Sequence, residues 1–102
     1  MVPVIRPGEI EPPSAPEAEE GLLGAVLVDS HLMASAAEYV RDDDFFNPAN
    51  AKVMAAMMRL FDRGIGIDAV TVANVLREQG ELESVGGPAF LGRLIAKAAS
   101  DR

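Results

Sequence analysis

The 102 residues (10.8 kDa) suffice for one small domain, and 49% hydrophobic with 25% charged residues is the composition of a folded chain. Nine Lys plus Arg against sixteen Asp plus Glu give a formal net charge of −7, a field that opposes broad binding to phosphate backbones. The absence of cysteine excludes disulfides, thiolate metal sites and a Cys nucleophile, and the single His31 excludes a paired-His zinc motif.

Residues 1–13 hold Pro3, Pro7, Pro12 and Pro13. Proline lacks an amide donor and turns its predecessor away from helix, so this stretch reads as a flexible, extended arm. Residues 14–100 read as helices separated by short breakers, with 101–102 as a tail. Ser14-Ala15-Pro16-Glu17 fits a capping box, with Ser14 at the N-cap and Glu17 at the third helical position. In the helix that follows, Ala18, Leu22, Leu23, Val26 and Leu27 share one face. Asp29 and Ser30 end it and can cap a second helix over about 32–40. Residues 41–46 suit a tight turn that sends Phe45 or Phe46 into the core.

Asn47-Pro48 pairs an N-cap with a first-turn proline, and Gly64 is the matching C-terminal stop. Between them Val53, Met54, Met57, Met58, Leu60 and Phe61 cover one broad face, while Lys52, Arg59 and Arg63 line the other. A fourth helix over about 72–79, capped by Thr71 or Asp68, stops at Gly80. Gly86-Gly87-Pro88 opens a fifth, with Phe90, Leu91, Leu94, Ile95 and Ala98 on one face. No strand-period segment competes. The expected fold is all-α, a compact bundle of about five helices behind a Pro-rich arm. No apolar run approaches the ~18 residues of a membrane span and no signal-peptide pattern opens the chain, so a cytoplasmic protein is expected.

Residues with catalytic promise are few. A phosphate-binding loop needs glycine-rich backbone followed by Lys and Ser or Thr, and neither Lys52 nor Lys97 follows a glycine. Gly86 and Gly87 therefore read as a turn. Asp42-Asp43-Asp44 lacks cation-loop spacing and reads as a solvated turn. His31 has no evident Ser or Asp partner, and carboxylate pairs such as Glu78 and Glu81 are commonplace in so acidic a chain. An independent enzyme is not expected, and no metal or cofactor site stands out.

Three features remain open. Glu19 projects into the apolar face of the first helix, either as a first-turn carboxylate favoured by the helix dipole or as a buried anchor for docking. Gly21, Gly24 and Val28 lie on the opposite side, where another helix of the domain or a partner chain packs close. The Lys52, Arg59 and Arg63 stripe is either a solvated face or a docking patch for an acidic subunit.

An ordered series of fragments resembles the N-terminal domain of DnaB-type replicative DNA helicases. The series runs from Pro13-Ser14-Ala15-Pro16-Glu17-Ala18-Glu19 and Leu23-Gly24-Ala25-Val26-Leu27 to Asp44-Phe45-Phe46 and Pro48-Ala49-Asn50. It is densest over Gly66-Ile67-Asp68-Ala69-Val70-Thr71-Val72, Leu76, Gly80, Leu82 and Val85-Gly86-Gly87-Pro88-Ala89-Phe90-Leu91. The resemblance implies an all-α domain in an N-terminal collar above a homohexameric motor ring that unwinds DNA at the replication fork. It implies other helicase subunits, primase and in some members a loader protein as partners, and cytoplasmic, nucleoid-associated work. ATP and Mg2+ would belong to the motor domain, so the fragment itself would be non-catalytic and would bind DNA only weakly. In the family a helical hairpin follows where this chain stops at Arg102, so a fragment of a longer protein is expected. Glu17 and Glu20 on the first helix and Phe90 near the Gly-Gly turn are the candidate partner-binding residues. Two other readings are the helicase-binding domain of a primase and a small helical nucleic-acid-binding domain using the basic stripe.

The Gly86-Gly87 turn makes one direct prediction. Gly87→Val should lower the melting temperature by about 4–8 °C for each kcal/mol lost; an unchanged melt in calorimetry would contradict the placement of the last helix.

Overall fold

The computed structural model describes residues 15–100. Six helices follow one another: α1 (Pro16–Val28), α2 (Leu32–Tyr39), α3 (Pro48–Asp62), α4 (Ala69–Glu78), α5 (Leu82–Val85) and α6 (Gly87–Ser100), with a 3-10 turn at Asp42–Asp44 between α2 and α3. No strand occurs among the described residues. The all-α expectation holds, and the sixth helix is the short α5. Four residues are fewer than two helical turns, too few to show a 3.6-residue period; Leu82 and Val85 bury themselves in a single turn.

Local chemistry sets most helix ends. Extended Ala15 occupies the N-cap of α1 without a side-chain cap, and Pro16 follows in the first turn. The expected capping box does not form: Ala15 rather than Ser14 is the N-cap, and Glu17 falls at the second helical position instead of the third, because the helix starts at Pro16. Ser14 itself, the arm 1–13 and the tail 101–102 lie outside the described residues. Before α2, His31 holds the N-cap position and Asp29 Oδ1 accepts its backbone N–H at 3.1 Å. At α3, Asn47 Oδ1 accepts from Ala49 N at 2.8 Å and Asn50 N at 3.3 Å, with Pro48 behind it. Its far end closes on Gly64 (φ 68°): Gly64 N donates to Phe61 O and Ile65 N to Leu60 O, so two carbonyls the helix leaves open are satisfied. The same pair of bonds closes α4 at Gly80 (φ 70°).

Helix α4 begins at Ala69, three residues before the expected Val72. Asp68 is the cap and Thr71 its reciprocal partner: Asp68 Oδ1 accepts from Thr71 N at 2.8 Å, and Thr71 Oγ1 accepts from Asp68 N at 3.0 Å. That reciprocal pair of hydrogen bonds outweighs the modest helix propensity of Val70 and Thr71. Helix α2 stops at Tyr39 because Val40 is already extended, with φ −132°.

One core joins all six helices, and Leu23, Met33, Met54, Met57, Leu76, Leu91 and Leu94 are its largest sealed side chains. The expected apolar faces are right in the middle and too wide at the margins: Ala18 is exposed and Phe61 is 41% exposed. Helices α1 and α6 approach most closely. A Cβ at Gly24 would stand 2.4 Å from Leu94 O and 3.2 Å from Ala98 Cβ, whereas one at Gly21 would meet nothing within 4 Å. The close neighbour of the glycine side is thus α6 of the same chain. Gly24→Ala should cost about 1–3 kcal/mol by overpacking, and Gly21→Ala should gain up to about 1 kcal/mol of helix propensity. Urea denaturation of the two variants checks this; changes of the same sign would contradict the packing.

Candidate functional site

Glu19 is sealed from solvent in the middle of the bundle. Its Oε1 accepts from Asn47 N at 3.1 Å and Asn50 Nδ2 at 3.0 Å, and its Oε2 accepts from Phe46 N. Among the described residues no cation pairs with it. N–H donors and the positive end of the α3 dipole supply the compensation that burial of a carboxylate demands. Both readings of Glu19 meet here, since it lies in the first turn of α1 and also anchors that helix onto the start of α3. Asn50 Oδ1 is buried without a partner among the described residues.

This anchor decides between the two phenylalanines. With the Phe46 backbone turned inward to Glu19, Phe45 is buried and the Phe46 ring is 84% exposed. The ring thus projects from a fixed backbone, a feature for which the sequence offered no signal beyond the aromatic pair.

Two of the three expected partner residues, Glu20 and Phe90, meet at the α1–α6 seam. Glu20 is mostly covered and meets Arg93 Nη2 at 3.5 Å and Lys97 Nζ at 3.6 Å. The Arg93 guanidinium sits 5.1 Å from the centroid of the Phe90 ring, itself buried as part of the core, so one arginine links Glu20 to Phe90. Glu17 stands one turn ahead of Glu20, exposed and without a side-chain bond among the described residues. Arg93 and Lys97 were not apparent as site residues, because Glu20 and Arg93 are separated by 73 positions.

The basic stripe is largely occupied. Lys52 Nζ donates to Ser84 Oγ at 3.1 Å and pairs with Glu81 Oε2 at 3.6 Å. With the Gln79 amide turned so that both of its ends are satisfied, its carbonyl accepts from Arg59 Nε at 3.2 Å and Nη2 at 3.0 Å and its nitrogen donates to Glu81 Oε1 at 3.0 Å. These two cations clamp the α4–α5 turn onto α3, and Arg63 is exposed at the C-cap of α3.

Other sequence candidates sit apart from any shared site. His31 Nδ1 lies 3.2 Å from Asp29 Oδ1 on an imidazole that is 97% exposed. Asp44 Oδ2 accepts from Arg41 N at 2.8 Å and closes the 3-10 turn. Among the described residues no three or more His, Cys, Asp or Glu side chains converge as a metal set, and no helix is long and apolar enough to cross a membrane.

The DnaB-like helicase N terminal domain family matches residues 11–102. The chain belongs to that family. The "Replicative DNA helicase DnaB" of Geobacillus stearothermophilus is 40% identical over 83 residues, which are 81% of this chain and 18% of that protein. Its counterpart in Rhodothermus marinus is 35% identical over 89 residues, 87% of this chain and 10% of that protein. The chain therefore spans less than a fifth of the length of these relatives. The crystal structure of the N-terminal domain of DnaB helicase from Mycobacterium tuberculosis matches with a TM-score of 0.80 at 37% identity, covering 89% of this chain and 67% of that one.

Within this DnaB-family domain, Glu19→Ala strips the acceptor from three N–H groups and should cost about 2–3 kcal/mol. Glu19→Gln keeps one accepting oxygen and should lose less. Chemical denaturation orders the variants; a midpoint unmoved in Glu19→Ala would contradict the anchor.

Proposed function

We propose that this chain is the non-catalytic N-terminal assembly and protein-interaction domain of a replicative DNA helicase. The observation that carries the reading is the family match over 11–102, together with relatives that are replicative helicases several times longer. In this reading the domain sits in a collar above a homohexameric motor ring. Repetition around the ring raises the avidity of individually weak contacts, because each later contact forms at high effective concentration. Primase is recruited there, and in some settings a loader protein.

ATP and Mg2+ belong, in this reading, to the motor domain of the full helicase. The unwinding chemistry is supplied there, while the present residues offer a rigid helical surface. The α1–α6 seam suits such a role: Glu17 is exposed, Arg93 is 62% exposed over Phe90, and the helices beneath are fixed by the Gly24 contact. Strong DNA binding is not part of the proposal, since Lys52 and Arg59 are already engaged and the chain carries a net charge of −7. The working location is the cytoplasm, at the nucleoid.

An amide NMR titration with the C-terminal domain of the cognate primase tests recruitment. Shifts confined to residues 17–24 and the surroundings of Phe90 are expected. No shifts at high protein concentration would overturn recruitment by this domain and leave it an assembly scaffold.

A further inference from the structure

A second surface lies between α2 and the C-terminal half of α3. There a groove of about 430 Å³ opens. Its floor is Ala34 and Ala37 from α2 with Met58 and Phe61 from α3. The two alanines leave the space that longer side chains would fill, so Met58 is only partly covered and Phe61 is 41% exposed. Both residues lie on or beside the apolar face of α3, yet among the described residues nothing closes over them.

The rim of the groove is acidic. Glu38 stands on one side and Asp62 on the other, and both are exposed. Arg41 is the one cation lining it, and the chain runs from Arg41 directly into the Asp42–Asp44 turn. Neither Glu38 nor Asp62 forms an ion pair among the described residues, whereas Lys52, Arg93 and Lys97 elsewhere each meet a carboxylate. Around the groove, Glu38, Asp62 and the adjoining Asp42–Asp44 turn outnumber the single cation Arg41.

We propose that this groove receives a basic amphipathic helix from a partner protein. Aliphatic side chains at i, i+3 or i+4 and i+7 would fill the apolar floor, and flanking Lys or Arg would meet Glu38, Asp62 and the Asp turn. A helix suits the site because no sheet edge exists among the described residues to take an added strand. A second copy of this chain is disfavoured, since each copy carries −7 and would bring carboxylate rim against acidic surface. Phosphate backbones are repelled for the same reason. The proposal goes beyond the reading above and stands without it, because Glu17, Glu20 and Phe90 take no part in the groove.

The test titrates the 15N-labelled chain with a synthetic helical peptide of about 18 residues, Leu on one face and Lys on the other. A control peptide has the same composition with the Leu positions scrambled. Saturable shifts should concentrate at Ala34, Ala37, Glu38, Met58 and Phe61. Glu38→Lys with Asp62→Lys should weaken binding about tenfold or more. Glu78→Lys with Glu83→Lys makes the same change in net charge at exposed sites outside the groove and should alter binding less than about twofold. All four positions are exposed, and thermal melts establish that both variants fold. Equal binding of the scrambled peptide, equal weakening by both variant pairs, or no saturation would overturn the proposal. Groove shifts that grow with protein concentration before peptide is added would assign the surface to a second copy and overturn it too.

Discussion

A carboxylate sealed inside a small bundle, with three N–H donors around it and no cation among the described residues, is the constraint on which the rest of this domain depends. Glu19 gathers the backbone of Phe46 and Asn47 and the side chain of Asn50, so one group ties α1 to the turn before α3 and to α3 itself. Such an anchor gives direction as well as energy. A purely apolar contact between α1 and α3 would tolerate rotation or sliding, whereas acceptors aimed at particular amides do not. The α3 N-terminus also presents the positive end of a helix dipole to the buried charge.

From that point the other features follow in order. Phe45 is driven in and Phe46 out, α3 starts at a fixed place, and α1 is held so that Gly24 meets the backbone of α6. The α1–α6 seam then brings Glu20, Arg93, Lys97 and Phe90 together, while the short α2 leaves its groove against α3. The seam and the groove are thus two surfaces built on one core.

Local chemistry was readable from the residues alone. Asn47-Pro48, Gly64, Gly80 and Gly86-Gly87 mark helix ends because capping and positive φ depend on the residue itself and its immediate neighbours. Asp68 and Thr71 were ambiguous because each can cap, and they turn out to share one reciprocal box. Helix α5 escaped because a single turn has no period. What depended on distant partners was not legible. The donors to Glu19 lie 27 to 31 positions away, and periodicity places a residue on a face without naming what lies opposite. The basic stripe illustrates the limit, since Lys52 and Arg59 share a helix face but the fold lays the α4–α5 turn across them. The family resemblance ran along the same ordered fragments and is matched over 11–102.

The most direct measurement of the central claim is native-state hydrogen exchange at the amides of Phe46 and Asn47. Both belong to a short connection, and the Phe46 side chain is 84% exposed, so without the anchor they should exchange at the rate of a solvated loop. The Glu19 anchor predicts that they open only with the core of α3, with protection close to that of Met54 and Met57. Exchange at loop rates would show that Glu19 does not hold this turn, and the account of how the bundle is organised would fail.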